Sequence, residues 1–203
     1  MAASELIERC RNGEPAAREQ LFDRYRQYLW LLAQAQLGRY LRAKCDPSDI
    51  VQQTLLEVHR DFAQFAGNHE RDLLAWMRQI LAHNLYNETR RFTAQQRNVA
   101  REVSVEQLRA GLDRSSAVLG RCLAANVKSP SQIAAQREDA VRLADIMARL
   151  PDDYRTVLML RVFEGLSAED VAQRMNRSCG AVRMLQLRAL TALRAEMKTD
   201  SEA

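Results

Sequence analysis

The chain has 203 residues, of which 47% are hydrophobic, only 7 are Gly and 4 are Pro, and its formal net charge is +4. That length fits one medium domain or two small ones, and the sparse β-branched and aromatic residues exclude a substantial sheet, so we expect an all-α protein. The opening MAASELIERC lacks an apolar signal region and the densest apolar run, YLWLLA, is too short for a bilayer, which predicts a cytoplasmic chain with no membrane insertion.

Residues 5–95 predict a dense helical block. SELIERC begins a short helix that breaks at Asn12-Gly13 and resumes after Pro15. In DPSDIVQQTLLEVHRDFAQF, Asp46 is the expected N-cap and Pro47 the first helical residue. The chain then leaves the helix in AGNHER, and DLLAWMRQILAHNLYNETRRF predicts a further amphipathic helix.

The signal weakens over 96–137, where small, polar, Gly and Ser-Pro-Ser residues predict a linker with at most transient helix. Residues 138–198 predict a second block: a helix to Leu150, another from Pro151, a stop at Gly165, and two short helices joined by a polar turn. The expected fold is therefore two small helical domains joined by a flexible linker.

The last two predicted helices have the outline of a helix-turn-helix. Ser167 and Ser178 are the expected N-caps, and NRS forms the turn. At about 100° per residue, one side of the second helix is apolar and the other is mixed. The predicted inward residues are Val182, Leu185, Ala189, Ala192 and Leu193, and the predicted outward ones are Arg183, Met184, Leu187, Arg188 and Thr191. Such a face suits a DNA major groove, although an amphipathic bundle helix would show the same pattern.

Little in the sequence indicates catalysis. The four cysteines are far apart, the three histidines form no ligand cluster, and neither a glycine-rich phosphate loop nor a nucleophile motif is present. We therefore expect unpaired thiols, no metal, no cofactor and no enzymatic activity. A helical enzyme or metal-binding bundle is the disfavoured alternative.

The two blocks, in this order, resemble the small extracytoplasmic-function group of the sigma-70 family of bacterial RNA polymerase sigma factors. DPSDIVQQTLLEVHRDFAQF is similar to region 2.2, LLAWMRQILAHNLYNETRRF to regions 2.3 and 2.4, and the segment from LPDDYRTV to LRALTALR to region 4. The resemblance implies a promoter-specificity subunit that binds the beta-prime and beta subunits of core polymerase and promoter DNA. It also implies regulation by an anti-sigma factor, here of unknown identity.

Residue roles follow from the resemblance. It implies that Asp49, Ile50, Val51, Gln52, Gln53 and Thr54 dock on the beta-prime coiled coil. The loop FAGNHER, Phe65–Arg71, would capture a flipped base of the minus-ten element through Asn68 and His69, although a solvated turn fits this stretch equally well.

The remaining DNA contacts are implied on two helices. Along the minus-ten strand they are Arg78, His83, Asn84, Asn87, Arg90 and Arg91; the family's usual Asn falls on His83, with Asn84 one place late, so either of the two could make that contact. In region 4, Arg183, Met184, Leu187 and Arg188 match minus-thirty-five contacts. The alternative function, a stand-alone dimeric helix-turn-helix regulator, leaves the first block without a role.

Overall fold

The computed structural model describes residues 3–40, 45–96, 103–123 and 132–202. Within these ranges it contains nine α-helices and no strand, which confirms the all-α prediction. The helices are α1 (Ala3–Arg11), α2 (Pro15–Tyr40), α3 (Pro47–Asp61), α4 (Glu70–Gln96), α5 (Val105–Leu123), α6 (Gln132–Arg149), α7 (Asp152–Leu158), α8 (Ala168–Met175) and α9 (Cys179–Glu202). No helix in the described ranges is both long enough and apolar enough to cross a membrane.

Most helix boundaries lie where the local sequence predicts them. α1 ends just before Gly13, whose φ of +81° is a left-handed conformation that glycine adopts without strain. At the start of α3, the side chain of Asp46 accepts a hydrogen bond of 2.8 Å from the backbone N–H of Ser48. These signals act within a few residues, so the amino-acid sequence alone is sufficient to locate the helix ends.

The N-terminal block is a bundle around α2. α1, α3, α4 and α5 all pack against this helix, and its inward side chains are fully buried. Tyr25, Tyr28, Leu29 and Leu32 form this stripe at three- and four-residue spacing. The bundle fixes the orientation of α3 and α4, which carry most of the predicted site residues.

The prediction of a linker over 96–137 was wrong for its central part, which forms α5. Ser104 caps this helix in a reciprocal arrangement: its hydroxyl accepts from the N–H of Gln107 at 3.1 Å, and the Gln107 side chain accepts from the N–H of Ser104 at 3.2 Å. Leu108, Leu112 and Leu119 are buried in the bundle. The rest of the predicted linker, apart from the ends of α4 and α6, lies outside the described residues.

The C-terminal block consists of α6 to α9, with a π-helical turn at Met159–Phe163 between α7 and α8. It contacts the first block, because α6 packs on α2 and α5 and the buried apolar residues form one continuous cluster. The guanidinium of Arg155 also lies 5.8 Å from the ring centroid of Trp30 on α2.

Candidate functional site

Helix α9 has one buried face and one exposed face. Val182 and Ala189 are fully buried, and Leu185 and Leu193 nearly so, as the periodicity predicts. On the opposite face, Met184 is 50% and Leu187 57% exposed, which is unusual for large apolar side chains. The inward and outward assignments of these residues are thus confirmed.

The exposed face of α9 combines apolar and cationic groups. Arg183 and Arg188 are exposed on either side of Leu187. Within the described parts of the chain neither arginine pairs with a carboxylate, so both charges stay available for a polyanion. Guanidinium groups can bind phosphates or guanine edges, while Leu and Met side chains can contact thymine methyl groups.

The turn between α8 and α9 holds this face in place. Asn176 ends α8 in the left-handed conformation, with φ of 51°, and its N–H bonds back to the carbonyls of the last turn. The Ser178 hydroxyl accepts from the N–H of Ala181 at 3.2 Å and so caps α9. On its inner side, α9 is fixed by the Arg161 guanidinium, which donates to the Gln186 side chain at 3.1 Å. The two helices therefore have the connection that a helix-turn-helix requires.

Helix α3 carries a second exposed face. Asp49, Gln52 and Gln53 are exposed, and Gln53 donates to Glu57 at 2.7 Å. Leu56 lies at the centre of this face, 59% exposed, and Arg60 extends it by one turn. A leucine surrounded by amides and charges has the mixed character of a protein–protein contact surface.

The other predicted contacts on α3 lie inside the bundle, contrary to the direct role expected from the resemblance. Ile50 and Val51 are buried, and Thr54 is fully buried with its hydroxyl donating to the carbonyl of Ile50 at 2.8 Å. The six consecutive residues span more than a full turn, so they cannot all lie on one face. The buried three hold the helix on the bundle, and the exposed three face outward.

Between α3 and α4, residues 65–69 form a loop whose two ends are anchored to the helices. Phe65 is buried and stacks on Trp76 of α4, with ring centroids 5.2 Å apart. At the other end, Asp72 accepts a hydrogen bond of 3.3 Å from the N–H of His69. Asn68 and His69 are both exposed. The loop is held by its ends and presents two polar side chains to the surroundings.

Three of the predicted contacts on α4 form a stripe farther along the helix that follows this loop. His83, Asn87 and Arg90 are exposed and spaced by four and three residues, so they share one helix face. Gln79 is exposed on the same face one turn nearer the loop. Arg91 is exposed beside the stripe and pairs with Glu88 at 2.8 Å. The loop leads into α4 and the stripe lies on the same helix, so we call the two together the track.

Two predicted minus-ten contacts lie away from this track. Asn84 is only 7% exposed and donates to the Thr54 hydroxyl at 3.2 Å, so it links α4 to α3. Arg78 has a side chain 17% exposed, with Nε donating to Asp113 at 2.8 Å and Nη1 to Tyr28 at 2.9 Å. In this structure both side chains hold helices together, which corrects their expected place on the DNA-facing surface.

Two side chains at these surfaces are missing from the sequence-based predictions. Leu56 is not among the predicted polymerase contacts, although at about 100° per residue it falls opposite the buried Ile50 and Val58. Arg11 has no predicted role, yet its guanidinium donates to Asn68 and to two carbonyls of the 65–69 loop. Helix periodicity could have found Leu56. No local signal could have found Arg11, because its partners are more than 50 residues away along the chain.

Comparison with known proteins agrees with this arrangement. A family model described as "Sigma-70, region 4" matches residues 140–193, which include the helix-turn-helix. The ECF RNA polymerase sigma-E factor of Haemophilus influenzae is 29% identical over 91% of this chain and 89% of its own length. The RNA polymerase sigma-H factor of Pseudomonas aeruginosa is 25% identical, covering 93% and 90%, and the ECF RNA polymerase sigma factor SigD of Mycobacterium tuberculosis is 27% identical, covering 91% and 79%. Over 91% of its length the chain is thus similar to extracytoplasmic-function RNA polymerase sigma factors, and residues 140–193 match region 4 of the sigma-70 family.

Proposed function

We propose that the chain is a sigma factor that uses three surfaces to direct RNA polymerase to promoters and to start transcription: α9, the exposed face of α3, and the track formed by the 65–69 loop and α4. The exposed face of α9 is the strongest support for this proposal. A helix that buries one side completely while it exposes Met184 and Leu187 between arginines is built to contact another molecule. Its position as the second helix of a helix-turn-helix makes duplex DNA the partner.

In the minus-thirty-five element, α9 would lie in the major groove. Arg183 and Arg188 would bind phosphates or base edges and fix the register of the helix. Leu187 and Met184 would lie against thymine methyl groups. Their exposure in the free chain supports this role, because burying them against DNA adds apolar stabilisation that two arginines cannot supply.

On core polymerase, the exposed face of α3 would dock on the coiled coil of the beta-prime subunit. Asp49, Gln52 and Gln53 supply hydrogen bonds there, and Leu56 supplies the buried apolar centre that interfaces of this kind require. The resemblance extends the polymerase contact to the beta subunit. It also implies that an anti-sigma factor competes for the chain.

The 65–69 loop and the stripe of α4 would hold the melted minus-ten strand. His83, Asn87 and Arg90 follow the strand, and the loop receives a base that has left the stack. Each captured base contributes about 1–3 kcal/mol, which offsets the cost of unpairing, so binding energy alone drives strand opening. The chain would thus act as a regulatory subunit with no catalytic step of its own.

Purified full-length chain should be tested for binding to core RNA polymerase and, separately, to promoter duplex. Our proposal requires stable association with core polymerase and specific promoter binding by the resulting holoenzyme. If the chain binds a palindromic duplex tightly as a dimer and ignores core polymerase, it is a stand-alone regulator and the proposal is wrong.

A further inference from the structure

Arg11, the last residue of α1, reaches across to the 65–69 loop. Its Nη1 donates to the Asn68 side-chain oxygen at 2.7 Å. Its Nη2 donates to the carbonyls of Phe65 and Gly67 at 3.2 and 2.5 Å. The guanidinium also lies 5.7 Å from the ring centroid of Phe65. One planar fork therefore joins three acceptors of a loop that has no regular secondary structure of its own.

The contact with Arg11 determines which way the Asn68 amide points. A guanidinium can only donate, so the amide atom that faces it must be the carbonyl oxygen. The amide nitrogen of Asn68 then points away from Arg11, on an exposed residue. Without this contact, an exposed asparagine could rotate and offer a base either a donor or an acceptor.

The backbone of the loop around Asn68 has little conformational freedom. A Cβ at Gly67 would lie 2.5 Å from the Asp72 Cβ and 2.6 Å from the Phe65 ring, so the backbone runs tightly between the two. Phe65 is fixed by its stacking on Trp76. The backbone is thus largely held by packing, and the orientation of Asn68 depends on Arg11.

We propose that Arg11 is a positioning residue for minus-ten recognition, which fixes Asn68 as a hydrogen-bond donor toward the captured base. The proposal rests on the proposed function of the 65–69 loop. Arg11 does not touch the base. It acts through Asn68 and so sets which base edge the loop prefers, while the stacking of the base and the contacts along α4 are unaffected.

The test uses holoenzyme assembled from core polymerase and the full chain. Binding is measured by fluorescence anisotropy to single-stranded minus-ten oligonucleotides that carry each of the four bases, or an abasic site, at the captured position. One oriented hydrogen bond should give wild type about three- to tenfold preference for its best base over its worst. Arg11→Ala should reduce that ratio to about twofold or less, with affinity for the abasic strand unchanged.

Two further variants separate positioning from charge and from folding. Arg11→Lys keeps the positive charge, but one ammonium group cannot reproduce the planar fork, so it should also lose base preference. Arg9→Ala is the matched control, because Arg9 lies on the same helix and pairs with Glu14 at 2.8 Å; it should keep wild-type preference. In an Asn68→Ala background, Arg11→Ala should produce no further loss of preference.

Several results would overturn the proposal. Equal weakening of all five oligonucleotides by Arg11→Ala would show a general structural or phosphate contact instead. Full recovery of preference in Arg11→Lys would show that charge alone matters. An unchanged preference in Arg11→Ala would exclude Arg11 while leaving base capture by the loop intact. Absence of any preference in wild type would instead overturn the loop's proposed function together with this inference.

Discussion

Leu187→Ala isolates the apolar part of minus-thirty-five recognition. Leu187 lies between Arg183 and Arg188 on the exposed face of α9 and is 57% exposed. Truncating it removes no charge and no hydrogen bond, and the buried face of the helix is untouched. The change should therefore weaken promoter binding without altering folding or the dependence of binding on salt.

The expected magnitude follows from the exposure of the side chain. Complete burial of a leucine side chain is worth about 2 kcal/mol, and slightly more than half of the Leu187 surface is still available, so burial against DNA contributes about 1 kcal/mol. That energy corresponds to about a fivefold increase in Kd. The free energy of unfolding should change by less than about 0.5 kcal/mol, as is usual for exposed sites.

Leu56→Ala on α3 is the matched control, since Leu56 is 59% exposed and the substitution is chemically identical. Titration of holoenzyme on promoter duplex at several salt concentrations should show weaker binding for Leu187→Ala alone. Titration of the chain on core polymerase should show weaker binding for Leu56→Ala alone. If Leu187→Ala leaves promoter affinity unchanged, or lowers affinity for core polymerase instead, the assignment of the α9 face is wrong.

Three other predictions concern charged and buried groups. Arg183→Ala or Arg188→Ala should weaken promoter binding by about 1–3 kcal/mol and reduce the steepness of the plot of log K against log salt by about 0.9, while binding to core polymerase stays intact. An unchanged slope would contradict a phosphate contact. Loss of core binding would show that this face of α9 does not contact DNA. Arg78→Ala should lower the free energy of unfolding, measured in urea, by about 2 kcal/mol, because it breaks hydrogen bonds from a charged group to Tyr28 and Asp113. If the variant is fully stable but loses minus-ten binding, Arg78 contacts DNA after all. Asn84→Ala should lower the free energy of unfolding by about 1–2 kcal/mol and leave minus-ten binding unchanged. His83→Ala should weaken minus-ten binding and leave stability unchanged. The opposite pair of results would make Asn84 the DNA contact and His83 the structural residue.

Much of the fold could be predicted because its signals are local. The caps Asp46 and Ser167, the break at Gly13 and the two faces of α9 all depend on residues within one or two turns of each other. Such features need only short-range hydrogen bonds and the helical period. For the same reason, the exposed positions of Met184 and Leu187 follow from the amino-acid sequence alone.

The missed helix explains one of the misplaced contacts. The capping pair Ser104 and Gln107 and the leucines at 108, 112 and 119 are present in the sequence at helical spacing, but the small, polar, Gly and Ser-Pro-Ser residues among and after them outweigh this pattern, and the segment is assigned to a linker. Asp113 lies on α5. The resemblance assigns Arg78 to the minus-ten strand, and without α5 the sequence offers no competing partner such as Asp113. The error about one element thus became an error about a site.

Contacts between distant elements could not be predicted from spacing. Asn84 meets Thr54 across 30 residues, and Arg11 meets Asn68 across 57. A helical pattern shows which residues share a face but not which neighbour covers that face. The choice between His83 and Asn84 therefore required the packing of α4 on α3.

Promoter selection by this chain is tested most directly by in vitro transcription with core polymerase, the full chain and a library of genomic promoters. The chain should redirect initiation to promoters that share a two-part motif, with one part near minus ten and the other near minus thirty-five. Starts that are independent of the chain, or a selected motif with only one part, would show that it does not select promoters in this way.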